Sequence, residues 1–148
     1  MPVKQFGVIF GPARFAKKRA RIHARGMCMG YEVIRVTHVA PNIGGLVSSI
    51  NLTKPLSPAT VQDLHVALME HQVLFFPDQR LTADAFYRFT THWGEVEPLK
   101  PGMPTAQHPN VLLVESKDGG GPGKFNDIWH SDLSFHRFPP SVTALQAV

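Results

Sequence analysis

Cysteine is nearly absent from this 148-residue chain, where Cys28 stands alone, so neither a disulfide framework nor a zinc site built from several thiolates is available. Long apolar runs are missing as well. None approaches the roughly 18 to 20 residues that a membrane-spanning helix needs, and the chain reads as a cytoplasmic protein without a membrane partner. Acidic residues are missing from the first thirty positions, which hold seven bases: Lys4, Arg14, Lys17, Lys18, Arg19, Arg21 and Arg25. Residues 31–148 carry eight Lys/Arg against eleven Asp/Glu, a net of −3, so the overall charge of +4 belongs to the N-terminal stretch. What is present is the length of one ordinary domain and a 43% hydrophobic composition that can fill a core. Eight His and the carboxylates are the metal ligands on offer.

Residues 1–30 read as a basic extension of residues 31–148. Three readings stay open. The stretch is a disordered or mis-assigned start, with Met27 and Met29 placed just before the patterned part. It is an Arg-rich organelle presequence, against which the lack of a clean amphipathic face counts. Or it contacts phosphates nonspecifically, the weakest reading, because Phe15 is the one aromatic among the bases and no recognition motif accompanies it. Nucleic acid is therefore the last-ranked partner.

The patterned part reads as mainly β with flanking helices. Residues 32–37 and 46–50 form strands around Asn42-Ile43-Gly44-Gly45, a β-hairpin with a glycine turn. Ser57-Pro58 supplies a cap and a first-turn proline for a helix that buries Val61, Leu64, Leu68 and Met69 and runs to His71. Val73-Leu74-Phe75-Phe76, stopped by Pro77, suits a core strand covered on both faces. A second helix begins after Thr82, packs Phe86, Phe89 and Trp93, and ends at Gly94. A proline-rich connection leads to residues 111–114, and the last patterned run is 142–148.

Two segments invite a chemical reading. Asp118-Gly119-Gly120-Gly121-Pro122-Gly123-Lys124 is not a phosphate loop, because Asp118 and Phe125 stand where Gly and Ser/Thr are required. In Trp129-His130-Ser131-Asp132-Leu133-Ser134-Phe135-His136 a strand would put Trp129, Leu133 and Phe135 on one face and His130 and Asp132 on the other. Residues two apart on a strand are about 6.7 Å apart, so an imidazole and a carboxylate there can converge on one cation. Two His and one carboxylate form the facial triad that leaves positions open on Fe(II). His136 would lie about 13 Å beyond Asp132 on such a strand, too far for a third ligand. His71, His92 and His108 remain open for that role, and a solvated polar strand face is the competing explanation.

Five motifs surround the triplet: Pro41-Asn42-Ile43-Gly44-Gly45 with Asn51-Leu52-Thr53-Lys54-Pro55-Leu56-Ser57, then His71-Gln72-Val73-Leu74-Phe75-Phe76-Pro77-Asp78-Gln79, then Trp93-Gly94-Glu95, then Trp129-His130-Ser131-Asp132, then Pro139-Pro140. In order and spacing, residues 31–148 resemble the taurine catabolism dioxygenase (TauD/TfdA) family of Fe(II)- and 2-oxoglutarate-dependent oxygenases. The resemblance implies a double-stranded β-helix (jelly roll) with helices outside, of which this chain would hold a partial, truncated, N-terminal part. It implies His130 and Asp132 as the first His and the carboxylate of the iron site, and Asn126 as a substrate contact. It implies oxidation of a small organic acid or sulfonate-like substrate by O2, with 2-oxoglutarate converted to succinate and CO2.

Two departures from the family pattern stand out. The sulfonate-contacting His expected after Trp93-Gly94-Glu95 is replaced by Pro98-Leu99-Lys100-Pro101. The 2-oxoglutarate-contacting Thr, the second iron His and the carboxylate-clamping Arg are expected beyond Val148. The chain by itself is therefore expected to be inactive, residues 31–148 alone to be poorly soluble, and the site to be completed by a C-terminal half or by a homo-oligomer. The competing function is a noncatalytic remnant or interaction module.

Overall fold

The computed structural model describes residues 30–103, 105–114 and 132–147, together with the strand pairing of residues 5–10. Its elements run β1 (Gln5–Phe10), β2 (Arg35–His38), β3 (Gly45–Ser48), α1 (Pro58–His71), β4 (Val73–Pro77), α2 (Ala83–Thr90), a short 3-10 turn (Thr91–Trp93) and β5 (Val142–Gln146). The strands form one mixed sheet in the order β2-β3-β4-β1-β5. Among the described strands only β3 and β4 pair in parallel, and α1 makes the crossover between them. No helix among the described residues is long and apolar enough to cross a membrane.

The helices form where their ends are chemically specified. Ser57 Oγ accepts the Thr60 N–H at 3.1 Å, a cap contributing about 1 kcal/mol, and Pro58 begins the first turn with its φ already helical. Gln72 closes α1 in the left-handed region at φ 64°, its N–H donating to the Leu68 carbonyl at 2.7 Å, and β4 starts at the next residue. Thr82 caps α2 in the same way, and Gly94, at φ 137°, ends the turn that follows.

The core lies between α1, α2 and one face of the sheet. Leu64, Ala67 and Leu68 of α1 meet Val47 of β3, Leu74 and Phe76 of β4, and Ala85 and Phe89 of α2. The buried face of α1 is Thr60, Leu64, Ala67, Leu68 and His71, with Asp63 beside it. Met69, expected inside, is 62% exposed, because one residue past Leu68 it is turned about 100° away from that stripe. On β4, Leu74 and Phe76 are fully buried while Val73 and Phe75 are half-buried, so cover is complete on one face rather than on both.

Other boundaries also differ. The hairpin strands are β2 and β3, four residues each, rather than 32–37 and 46–50. Residues 32–34 leave the sheet because Asp63 of α1 captures the Val33 and Ile34 N–H groups at 2.7 and 3.3 Å. Within residues 111–114, Leu112 forms an isolated bridge to Thr105. Within the stretch read as a basic extension, β1 pairs with β4 on one side and β5 on the other. Residues 11–29, which hold six of its seven bases and both Met27 and Met29, lie outside the described residues, as does the 118–124 glycine loop.

Candidate metal centre

Asp132 opens a turn, not a strand. Residues 132–135 are turn, Leu133 takes φ 48°, and the His136 N–H closes it on the Leu133 carbonyl at 2.9 Å. The alternation expected of residues 129–135 therefore fails in its described part. Phe135, expected on one covered face with Leu133, is 76% exposed. A left-handed residue redirects the chain, so positions two apart no longer share a face. His136 is accordingly not strung out along a strand beyond Asp132, and its ring packs edge-on against Phe135 at 4.8 Å.

After the turn the chain passes Pro139-Pro140 and enters β5, which brings Thr143 back to Asp132. Thr143 Oγ1 donates to Asp132 Oδ2 at 2.9 Å. The carboxylate is exposed and stands beside β5, the last strand of the described sheet. His130 and Asn126 lie outside the described residues.

Of the three histidines left open as further ligands, His71 and His108 have ring partners elsewhere, and His92 is bonded through its backbone carbonyl. His108 stacks on Tyr87 at 4.2 Å, and its Nδ1 accepts the Asn110 N–H at 3.1 Å. The His92 carbonyl accepts from His65 Nε2 at 2.9 Å, and burial chiefly, with His65 and Arg88 adding to it, holds the His92 imidazole below the usual histidine range. His71 is buried at the end of α1. Among the described residues no three His, Cys, Asp or Glu side chains converge as a cation site.

His71 belongs to a polar cluster that periodicity does not show. The Tyr31 hydroxyl donates to Glu70 Oε2 at 2.8 Å and lies 3.0 Å from His71 Nε2. A phenol has one hydrogen and a carboxylate only accepts, so His71 Nε2 donates, which sets the tautomer of the neutral ring. The His38 ring meets His71 edge-on at 4.5 Å. Gly45 leaves room for this, since a Cβ there would fall 2.9 Å from His71 Cγ and 2.7 Å from Val36 Cγ1.

Burial pushes the His71 pKa down, and His38 adds to the effect while Glu70 opposes it. The folded value lies below the unfolded value of about 6.5. The unfolded chain therefore takes up the proton first, so this stability is present above about pH 6.5 and is lost as pH falls toward the folded pKa. The expected slope in that window reaches about 1.4 kcal/mol per pH unit. Urea unfolding at about pH 7.5 and about pH 5.5 should show a larger loss for the wild type than for His71→Gln; equal losses would sink the assignment.

Two of the motifs that sequence alone lines up in order are joined here by one side chain. Gln79 Oε1 accepts the Leu52 N–H at 3.0 Å while its Nε2 donates to the Ile50 and Pro77 carbonyls at 3.2 and 3.3 Å. Arg88 holds the same loop through the Thr53 carbonyl at 2.9 Å. Phe89, Phe86 and Trp93 pack against the core, as expected of that stripe.

Comparison with known proteins gives this arrangement its context. The family model described as "Taurine catabolism dioxygenase TauD, TfdA family" matches residues 35–148. The chain belongs to the TauD/TfdA family. An alkylsulfatase from Acinetobacter baylyi is 30% identical over 118 residues, covering 78% of this chain and 35% of the relative. An alpha-ketoglutarate-dependent sulfate ester dioxygenase from Pseudomonas putida is 30% identical over 115 residues, covering 74% of this chain and 36% of the relative. A crystal structure described as an alpha-ketoglutarate-dependent taurine dioxygenase from Burkholderia xenovorans superposes with a TM-score of 0.60 at 26% identity, over 72% of this chain and 37% of that one. This TauD/TfdA chain thus spans little more than a third of the length of the relatives it matches.

Proposed function

We propose that this chain contributes His130 and Asp132 to the iron site of an Fe(II)- and 2-oxoglutarate-dependent dioxygenase acting on a small sulfate ester, sulfonate or related organic acid. The observation that carries the reading is the Asp132 carboxylate, exposed and held by Thr143 inside the segment that matches the family. One carboxylate and one imidazole form an N/O donor set suited to a divalent first-row cation, so the chemistry of the residues fits the metal. Bound iron with 2-oxoglutarate would supply the O2-dependent oxidation of a substrate C–H bond. Asn126 contacts the substrate in this reading. The names of the relatives favour a sulfur-oxyanion substrate.

The mixed sheet is, in the same reading, part of a double-stranded β-helix, with residues 31–148 supplying its N-terminal portion and β1, from the stretch read as an extension, pairing into it. A complementing C-terminal half or a second copy would provide the remaining ligands, and the isolated chain would turn over little or not at all.

Anaerobic titration of the purified chain with Fe(II) and 2-oxoglutarate tests the assignment. A visible charge-transfer band that disappears in His130→Ala and in Asp132→Ala is the expected result. The same band in both variants overturns it in favour of an interaction module, and a folded chain that gives no band means that the site needs the complementing half.

A further inference from the structure

We propose that Thr143 is the positioning residue of the metal-binding carboxylate. This rests on the reading of Asp132 as a cation ligand and deepens it. An aspartate has two side-chain torsions to settle before it can present a chosen oxygen to a metal. The Thr143 hydroxyl supplies one restraint: it donates to Asp132 Oδ2 at 2.9 Å, which narrows the directions open to the second oxygen.

The restraint comes from a stiff part of the fold. Thr143 sits in β5, where it is in register with Ile9 of β1, and its branched Cβ limits χ1. Asp132 is eleven residues away, across the 132–135 turn, the 136–138 bend and Pro139-Pro140, so the pair ties a turn to a strand. The turn is shaped from its other side by Leu133 at φ 48° and by the His136 N–H on the Leu133 carbonyl.

A stabilising role does not account for the pair, because a hydrogen bond to an exposed carboxylate competes with water and adds little to folding. Its effect is on orientation. Partners that orient a metal ligand are worth about 10- to 100-fold in metal affinity, and the exposure of Asp132 places this one at the lower end.

Mn(II), which shares the preference of Fe(II) for N/O donors and is directly counted by its free-ion EPR signal, is the probe. Binding is measured on the full chain for the wild type, Thr143→Val, Thr143→Ser and Asp132→Ala, with thermal unfolding followed in parallel. The expected results are about 10-fold weaker binding in Thr143→Val, wild-type binding in Thr143→Ser, loss in Asp132→Ala, and unchanged unfolding throughout. Binding lost in Asp132→Ala but intact in Thr143→Val overturns the positioning role and leaves the site standing. Equal weakening in valine and serine variants also overturns it, since packing rather than the hydroxyl would then be responsible. Binding indifferent to Asp132→Ala defeats the metal assignment itself.

Discussion

Replacing Phe76 by alanine should destabilise the fold by about 3 to 5 kcal/mol, seen as a lower urea midpoint at unchanged slope. The ring is fully buried and is among the largest side chains with no exposure. It lies on β4, which is paired with β3 and β1 and followed by the turn into α2. Its face meets Phe89 of α2 at 5.4 Å with the rings inclined by 76°, the edge-to-face geometry that aromatic pairs favour. Alanine would open a cavity between sheet and helix, and its lining is fixed by strand pairing on one side and by helix caps on the other, so collapse is restricted. Phe76→Leu keeps most of the volume and should cost less than half as much. A loss below about 1 kcal/mol for the alanine variant would mean that α2 does not pack on β4 as described.

Asp63→Ala should come next, at about 2 to 4 kcal/mol. Asp63 is buried on α1 and accepts both the Val33 and the Ile34 N–H groups, the first at 2.7 Å. Alanine strands two donors, and the one on Ile34 lies beside a side chain that is 4% exposed and part of the core. Water can reach Val33 and soften its loss, but not Ile34 to the same degree. Asp63→Asn retains an acceptor oxygen and should recover about half of the deficit. Amide exchange separates this from a general loss of stability: the residue 33 and 34 amides should exchange faster in Asp63→Ala even after correction for global unfolding. Protection equal to that of the wild type would show that the carboxylate does not hold this segment.

These two residues differ in how far their neighbours in the chain announce them. Phe76 belongs to a continuous apolar run next to Pro77, which marks a central strand by composition alone. Asp63 is an acid in the middle of an amphipathic helix, where a solvated position is the ordinary assumption. Its partners lie 29 and 30 residues earlier, and no local periodicity carries that distance.

Asp132 shows the same division at the candidate site. Its residue type, its spacing from His130 and the surrounding motifs point to a cation ligand on sequence grounds alone. The strand expected beneath it is instead a turn. Leucine has no preference for the left-handed region, so neither Leu133 nor the apolar and polar alternation around it warns of that turn. Thr143 carries no signal either, since a threonine in a strand is ordinary.

The sequence by itself determined the elements whose causes are local. Ser57 and Pro58 start α1, Gly44 turns the hairpin, Thr82 starts α2, Gly94 ends the 3-10 turn after it, and the motif order identifies the family. The tertiary structure alone decided that β1 lies between β4 and β5, that Gln79 joins two motifs, that Tyr31, Glu70, His71 and His38 form one cluster, and that Asp132 is held by Thr143. The reason is physical: caps, turns and periodicity are energies between near neighbours in the chain, whereas strand order and side-chain pairing are chosen by contacts among residues far apart.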